Sequence, residues 1–366
     1  MPNLRNNVGI NQIRLNLELS MTKQSAPDLD PLMPDMTRRR ILGGLAVGAG
    51  AGVLAGLGVS PVSQAGQALG NNRILITTPM GNIGHQVLEQ VLASGVVIRV
   101  IEREPARIPA AIRASVDVIE GSHGDPAVVD NAFKDVDTVF WLCPPAPQAD
   151  SALAAYVDFT RPACEAIIRN GVRRVVSISA LGRGSAQATS AGYVTASLAM
   201  DNLIASTGVS FRALTMPSFM DNIARQATPI REQGMFFMPI NGDHKLPTVA
   251  TRDIARVAAG LLLDPAWSGS NEVPVLGPED LSFNDMADIM SEVLGKSIRY
   301  QQVSYDAYKA GFLQRGMSDA MAQGMADMAR AKNEGLDNAV QRTSANSTPT
   351  TFKQWCEEEL RPIILA

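Results

Sequence analysis

The sequence predicts an α/β fold: a doubly wound parallel sheet with helices on both faces and a smaller, mostly helical C-terminal cap. From residue 72 to about 215, short runs of β-branched and apolar residues alternate with amphipathic helical segments. This alternation is typical of parallel strands joined by crossover helices. Hydrophobic residues make up 46% of the 366 residues and charged residues 19%, so the chain can bury a sizeable core.

The strands and helices of the first part follow one another in regular order. Buried, β-branched runs predict strands at 73–78, 96–101, 116–119, 138–142, 172–179 and 209–214. Apolar residues at helical spacing predict helices at 83–94, 126–133, 151–170 and 191–207. Gly95, Gly171 and Gly208 follow three of these helices, where a glycine commonly ends a helix.

After about residue 216 the alternation loosens. We expect helices at 253–263, 305–314, 317–333 and 351–360, and a strand at 298–303. Ser282 and Asp285 have the spacing of an N-cap with an acidic third position, for a helix that ends at Gly295. We therefore assign residues 72–215 to the sheet domain and 216–366 to the cap, with some return to the sheet.

The first 65 residues differ in charge from the rest. They hold six basic and four acidic residues, whereas the remaining 301 hold 26 and 32, a balance of −6. Residues 1–36 are a polar extension, and residues 37–65 contain Arg38-Arg39-Arg40, an uncharged run at 41–62 and Ser63-Gln64-Ala65. Basic residues, an apolar run and a small-residue site, in this order, predict an export signal that resembles a twin-arginine signal.

Two other interpretations of this segment stay open. The run at 41–62 is long enough to anchor the chain in a bilayer of ~30 Å, although its glycines weaken that case. It could also form a buried glycine-rich helix, which glycine disfavours by ~1 kcal/mol per position. Met33 or Met36 could be the true start. We expect an exported, periplasmic or extracytoplasmic protein that touches the membrane only through this leader.

Charge and composition exclude several function classes. The net charge of −4 is not that of a nucleic-acid-binding protein. The chain has three cysteines, Cys143, Cys164 and Cys356, too few and too scattered for a disulfide framework or a thiolate metal site. Its three histidines include no pair at metal-ligand spacing, so we expect no metal site.

The turn after the first predicted strand has the features of a phosphate-binding turn. It reads Thr78-Pro79-Met80-Gly81-Asn82-Ile83-Gly84 and opens a predicted helix. In an open parallel sheet, a dinucleotide pyrophosphate lies on the free N–H groups of this helix start. Gly81 permits close approach of the backbone, and Gly84 permits tight packing of the helix on the strand.

Five collinear blocks resemble the NmrA-like branch of the short-chain dehydrogenase/reductase superfamily. They are the turn at 78–84 with 98–103, then 139–145, 171–182, 217–222 and 251–255. The resemblance covers roughly residues 72–362 and implies a Rossmann fold that binds NAD or NADP, with substrate between sheet and cap. It implies cofactor contacts from Thr78, Met80, Gly81, Asn82, Ile83, Gly84, Glu102, Arg103, Ser122, Cys143 and Pro144.

The sequence departs from the family pattern in the cofactor site. Thr78 replaces the first glycine of the turn, so the turn must tolerate a side chain. Ser122 replaces the acidic residue that often contacts adenine. Glu102 lies where an acid would bond a ribose 2′-hydroxyl, and Arg103 where an arginine would attract a 2′-phosphate. NAD and NADP both stay open, as does a simple solvated Glu–Arg pair.

The candidate catalytic residues are Tyr193 and Ser179, with Ser197 at the usual lysine position. Short-chain reductases use a Ser, a Tyr and a Lys four residues past the Tyr, and the lysine lowers the tyrosine pKa. Here the lysine is absent, so we expect Tyr193 to stay near a pKa of ~10 and to be a poor proton donor at neutral pH. Structural roles for Ser179 and Tyr193 stay open.

We therefore expect a NAD(P)H-dependent reductase of a small aromatic or quinone-like acceptor, because hydride transfer itself needs only the cofactor and an electron-poor partner. A non-catalytic redox sensor and a homologue without cofactor stay open, and the oligomeric state is not predicted.

Met317, Met321, Met325 and Met328 form a stripe on one predicted helix, either a core stripe or an adaptable lid over a flat ligand. Asp253 is expected to cap a helix or hold a loop.

Overall fold

A computed structural model describes residues 73–366. The polar extension and the signal segment predicted at 1–65 lie outside the described residues. Within 73–366, no helix combines the length and the apolar character needed to cross a membrane.

The strands of the described part alternate with helices up to β6, as the sequence predicted. The strands are β1 (Ile74–Thr77), β2 (Ile98–Glu102), β3 (Asp117–Glu120), β4 (Thr138–Trp141), β5 (Arg174–Ala180), β6 (Ser210–Met216), β7 (Ser218–Phe219), β8 (Met235–Met238), β9 (Leu246–Val249), β10 (Ser270–Pro274), β11 (Asp280–Leu281) and β12 (Arg299–Gln302). The helices are α1 (Asn82–Leu92), α2 (Ala110–Arg113), α3 (Pro126–Ala132), α4 (Phe159–Asn170), α5 (Tyr193–Ala205), α6 (Asp221–Ala224), α7 (Ala227–Gln233), α8 (Thr251–Leu263), α9 (Phe283–Leu294), α10 (Tyr305–Gln314), α11 (Asp319–Asn333), α12 (Phe352–Trp355) and α13 (Arg361–Leu365).

Seven of the strands form one parallel sheet in the order β10-β6-β5-β4-β1-β2-β3. The chain runs outward from β1 to β3 and then crosses back to β4, so the winding reverses between β1 and β4. A crevice opens at the carboxyl ends of strands at such a reversal, and ligands bind there in open α/β sheets. The predicted doubly wound fold is confirmed.

Alternate residues of the strands bury opposite faces of the sheet. Ile74 and Ile76 of β1 pack in a core with α1 and α8, whereas Leu75 packs in a second core with α3, α4 and α5. This alternation follows from the two-residue period of a strand. Helix α8 and strand β10 thus return from the C-terminal part to the sheet.

The C-terminal part contains more strand than the expected mostly helical cap. A three-stranded sheet has the order β11-β9-β7, and β8 pairs with β12 in parallel. A separate core joins α7, α9, α12 and β8 around Phe236, Phe352 and Trp355. The predicted capping box is present: Ser282 Oγ accepts from the Asp285 N–H at 3.0 Å, and Asp285 Oδ2 accepts from the Ser282 N–H at 2.9 Å.

Two helices predicted as single α-helices contain a wider π-helical turn. The first turn spans Ala154–Asp158 directly before α4, and Pro162 lies within the first turn of α4 itself. Proline has no N–H for the preceding carbonyls, and a wider turn moves its ring away from them. A similar turn at Cys356–Leu360 precedes α13, which starts with Arg361-Pro362.

Candidate cofactor and substrate site

The turn between β1 and α1 is built around the carbonyl group of Thr78. Thr78 has a φ of +50°, its Oγ1 donates to the Thr77 carbonyl at 2.8 Å, and its own carbonyl accepts from the Gly81 N–H at 2.9 Å. A Cβ on Gly84 would lie 1.9 Å from this carbonyl oxygen, and one on Gly81 would lie 3.3 Å from it. The turn does tolerate the Thr78 side chain, in a left-handed conformation, and the absence of a Cβ at Gly84 is what lets it close.

The start of α1 presents backbone donors toward the crevice. Gly81 is the N-cap, no side chain caps the helix, and its first turn contains no acidic residue. The N–H groups of Asn82, Ile83 and Gly84 therefore have no partner within the helix, and they carry the positive end of its dipole. Such a cradle fits the pyrophosphate of a dinucleotide.

Two predicted cofactor residues of this turn use their side chains elsewhere. Ile83 is 5% exposed and belongs to the core under the sheet, and Met80 packs against the same core. Any contact of Ile83 with a phosphate is therefore made by its backbone N–H group. Cys143 and Pro144 follow β4 on the other side of the crevice.

A hydrogen-bond network joins this turn to the C-terminal part. Asn82 Nδ2 donates to Asp221 Oδ1 at 2.8 Å, and Thr251 Oγ1 donates to the same oxygen at 3.1 Å. Gln86 Nε2 donates to the Asn82 carbonyl at 2.7 Å and to Thr251 Oγ1 at 3.1 Å. The carboxylate of Asp221 thus lies between the first turns of α1 and α8, whose dipoles both favour a negative charge.

Glu102 and Arg103, at the end of β2, have different environments. Glu102 is 6% exposed, and its Oε1 accepts from the Glu104 N–H at 3.2 Å. Arg103 is exposed and forms no ion pair with any side chain of residues 73–366. The two residues therefore do not form an ion pair with one another: the Glu102 side chain is buried, whereas the Arg103 side chain is exposed to solvent.

Beyond β3, Ser122 and His123 shape the crevice wall. Ser122 Oγ accepts from the Gly124 N–H at 3.2 Å, so it supports the loop itself. His123 is 6% exposed, bonds to the Leu142 carbonyl at 3.0 Å and meets Trp141 and Phe159 edge-on. Burial lowers the pKa of His123 to about 4, with Arg103 adding to the shift, so the ring is neutral.

Ser179 and Ser197 do lie together, at the end of β5 and on α5. Their hydroxyl oxygens are 3.3 Å apart, and Ser179 Oγ also donates a short hydrogen bond to Oδ2 of Asp201. Asp201 lies one helical turn after Ser197 on the same helix face. The sequence did not single out Asp201: its spacing of four residues places it on the same helix face as Ser197, but its contact with Ser179 depends on the packing of α5 against β5.

Tyr193 begins α5 and has an apolar environment. Its ring lies edge-on to Tyr156 with centroids 6.2 Å apart, and a Cβ on Gly324 of α11 would lie 3.1 Å from its Cδ2. Burial raises the pKa of Tyr193 to about 12. The expectation of a pKa near 10 is therefore wrong, because the sequence revealed the missing cation but not the desolvation of the ring.

The C-terminal part covers this end of the crevice through α11. Its N-cap residue Ser318 donates from N–H to the Pro147 carbonyl at 2.9 Å and from Oγ to the Ala149 carbonyl at 2.7 Å. Met317 precedes this cap, so only three residues of the methionine stripe lie on the helix. Met321 is 1% exposed, whereas Met325 and Met328 are half-buried.

Asp253, expected to cap or hold a loop, does the latter. Its side chain is fully buried, Oδ2 accepts from the Thr350 N–H at 3.0 Å, and Oδ1 pairs with Arg256 at 2.8 Å. Asp221 was missed as a site residue even though it belongs to one of the five collinear blocks.

Several known proteins to which the chain is similar are reductases or oxidoreductases. The chain is 25% identical over 255 residues to an NAD(P)H azoreductase of Xenophilus azovorans, an alignment that covers 70% of this chain and 85% of that protein. It is 23% identical over 284 residues to quinone oxidoreductase 2 of Escherichia coli, covering 76% and 95%. A Citrobacter triphenylmethane reductase in complex with NADP(H) has the same fold, with a TM-score of 0.64, 19% identity and coverage of 77% and 98%. The NmrA-like family profile matches residues 70–356, and the chain belongs to the NmrA-like family.

Proposed function

We propose that this protein is a NAD(P)H-dependent reductase of quinone-like or other aromatic acceptors. The observation that carries the proposal is the start of α1, where three backbone N–H groups without a helical partner face the crevice between β1 and β4. Gly84 permits the tight turn that presents them. The relatives named above as an NAD(P)H azoreductase and a quinone oxidoreductase support the same class of reaction.

Two parts of the cofactor, the pyrophosphate and the adenosine ribose, have candidate contacts in the crevice. The N–H groups of Asn82, Ile83 and Gly84 hold the pyrophosphate. Glu102 accepts from a ribose 2′-hydroxyl, or Arg103 pairs with a 2′-phosphate, and the two residues favour NAD and NADP respectively. Bound NAD(P)H supplies the hydride. The residues of the chain fix its position and exclude water.

The class of acceptor follows from the weakness of Tyr193 as a proton donor. Tyr193 has no lysine four residues later, and its raised pKa of about 12 makes it a weak proton donor. Reduction of a plain ketone requires an effective proton donor, whereas a quinone is electron-poor enough to accept hydride with a weaker one. Tyr156 and Tyr193 also offer aromatic edges to a flat ligand.

The test uses the full chain and both dinucleotides. Fluorescence titrations with NADH and NADPH measure binding, and absorbance of the reduced nicotinamide measures its oxidation by a panel of quinones, an azo compound and a plain ketone. We expect binding of at least one dinucleotide and turnover with quinones but not with the ketone. Binding of neither dinucleotide would overturn the proposal.

A second candidate function is a redox sensor that binds NAD(P) without turning it over. The missing lysine favours it, because it removes the usual means of activating Tyr193. Dinucleotide binding without oxidation by any acceptor of the panel would support the sensor and reject the reductase.

We also propose that the protein is exported by a twin-arginine signal at 37–65. The motif Arg38-Arg39-Arg40 before the uncharged run 41–62 supports this. Such a route carries folded proteins, which suits one that binds a nucleotide. Replacing the three arginines by lysines should retain the protein in the cytoplasm, as measured by cell fractionation, whereas unchanged export would reject the signal. A protein that keeps residues 41–62 and stays in the membrane fraction would indicate that this segment is an anchor.

A further inference from the structure

Asp201 of α5 has a buried carboxyl group that contacts the hydroxyl of Ser179. It is 2% exposed, Ser179 Oγ donates to its Oδ2, and Ser177 Oγ donates to its Oδ1 at 3.4 Å. Ser177 and Ser179 point to the same face of β5 because they are two residues apart on a strand. Both oxygens of the carboxyl group are thus held by hydroxyls from one strand.

Charged and titratable groups face Asp201 from several elements. Arg183, on the loop after β5, has a nitrogen 3.6 Å from Oδ2 and also pairs with Glu272 of β10. Cys143 follows β4. Burial raises the pKa of its thiol to about 12, and the nearby charge of Asp201 contributes to this increase. Ser197 of α5 completes the cluster, 3.3 Å from Ser179 Oγ.

Burial raises the pKa of Asp201 to about 7, against the opposing effects of the Ser179 hydrogen bond and the Arg183 charge. The carboxyl group therefore exchanges a proton in the neutral range. The Arg183 side chain contacts Asp201 and is 39% exposed, so the carboxyl group has a neighbour that is in contact with solvent water.

We propose that Asp201 replaces the missing lysine: it delivers a proton through Ser179 to the oxygen of the acceptor as hydride is transferred. This inference rests on the proposed reductase function. Asp201 acts through Ser179 and is a positioning residue, whereas Ser179 contacts the acceptor.

The step is balanced for a quinone. The acceptor gains a hydride from NAD(P)H and one proton, which together reduce it by two electrons to the hydroquinone. The O–H bond of Ser179 breaks toward the acceptor oxygen while the O–H bond of Asp201 breaks toward Ser179 Oγ. Asp201 is left as a carboxylate, and a solvent proton restores it. When Asp201 is ionised, Ser179 donates to it and has no proton for the acceptor.

The first experiment measures single-turnover oxidation of bound NAD(P)H by a quinone between about pH 5 and pH 9. For the wild type we expect a rate that falls above about pH 7. Asp201→Asn should lower the rate at about pH 6 by roughly a hundredfold and remove the pH dependence. Its dinucleotide affinity and circular dichroism report whether it is folded.

A second variant keeps the carboxyl group and alters only its proton affinity. Ser177→Ala removes a hydrogen bond that favours the ionised form of Asp201, so the midpoint of the rate profile should move to higher pH. A purely structural role of Ser177 would change stability but would not move this midpoint.

An infrared titration tests the same group without turnover. The spectrum of the wild type minus that of Asp201→Asn should contain a protonated carboxyl band that disappears near pH 7. Absence of this band at pH 6, or a wild-type rate profile in Asp201→Asn, overturns the proposal while the reductase function stands. If the wild type oxidises no nicotinamide with any acceptor, the reductase function fails, and the proton path fails with it.

Discussion

The side-chain amide of Asn82 donates to Oδ1 of Asp221 at 2.8 Å, although 139 positions separate the two residues in sequence. Asn82 is the first residue of α1, whose backbone we assign to the pyrophosphate, and Asp221 is the first residue of α6 in the C-terminal part. The bond therefore fixes the edge of the C-terminal part against the phosphate turn.

The first prediction concerns the energy of this bond. Hydrogen bonds to charged groups contribute about 1.5–3 kcal/mol, so Asn82→Ala should lower the free energy of unfolding by about that amount. Asp221→Ala should cost more, because Thr251 Oγ1 loses the same acceptor. In a double-mutant cycle by urea unfolding, we expect a coupling of about 1 kcal/mol. Additive single effects would contradict a direct interaction.

The second prediction compares two glycines of the chain. A Cβ on Gly84 would lie 1.9 Å from the Thr78 carbonyl oxygen, whereas one on Gly260 of α8 would have nothing within 4 Å. Gly84→Ala must shift the turn, and we expect a loss of about 1–3 kcal/mol in stability and weaker binding of NAD(P). Gly260→Ala should instead stabilise the helix by about 0.5–1 kcal/mol and leave binding unchanged. Equal effects of the two changes would reject the assigned turn geometry.

The third prediction concerns backbone strain at Thr78. Its φ of +50° destabilises the folded state by about 1–2 kcal/mol, because Thr78 is β-branched. A glycine at this position removes that strain, but its more flexible unfolded chain costs about 0.5–1 kcal/mol. Thr78→Gly should therefore be more stable than Thr78→Ala by about 0.5–1 kcal/mol, since alanine keeps the strain. Thermal unfolding of the two variants measures this difference in stability. A more stable alanine variant would show that the turn does not impose the left-handed conformation.

Much of the sheet could be predicted because its signals are local. Five of the six predicted strands of the parallel sheet are largely buried apolar runs, whereas β3 is only partly buried. Glycines end the helices between them, such as Gly171 after α4 with a φ of +66°. The two-residue strands Ser218–Phe219 and Asp280–Leu281 are too short to show a period. Strand Ser270–Pro274 is a polar edge strand, so neither its composition nor its spacing distinguished it.

The part of the candidate site that was easiest to predict is made of backbone. The phosphate turn could be predicted from the spacing of its glycines, because Gly81 and Gly84 contact Thr78, which is close to them in sequence. Asp201 and Asp221 depend on contacts between distant segments, with Ser179 and Asn82 respectively. The pKa of a side chain such as Tyr193 depends on burial by residues far along the chain, which spacing does not reveal.

The fourth prediction separates Tyr193 from the proton path. Burial raises the pKa of Tyr193 to about 12, so its hydroxyl stays protonated and is a poor donor at neutral pH. Tyr193→Phe should change the turnover number by less than about threefold, whereas loss of a general acid costs about 10²–10⁴-fold. Ser179→Ala, the comparison variant, should lose activity in that larger range. A hundredfold loss in Tyr193→Phe would restore the tyrosine to the catalytic role.

The fifth prediction follows from the buried ring of His123, which lies between Trp141 and Phe159. Its pKa is lowered by burial from 6.5 to about 4, so the folded state binds its proton more weakly than the unfolded state does. The stability from a neutral His123 is therefore fully present above about pH 6.5 and is lost as the pH falls toward about 4.

Across this window the shift corresponds to a loss of roughly 3 kcal/mol, because each unit of pKa is equivalent to about 1.4 kcal/mol. Urea unfolding of the wild type at several pH values should show stability falling below about pH 6.5. His123→Gln keeps a donor for the Leu142 carbonyl but does not titrate, so its stability should fall less steeply over the same window. Tryptophan fluorescence, from Trp141 beside His123 together with Trp267 and Trp355, reports the unfolding of both proteins. If the two curves run parallel from about pH 7 to pH 4, the ring of His123 is not buried in its neutral form.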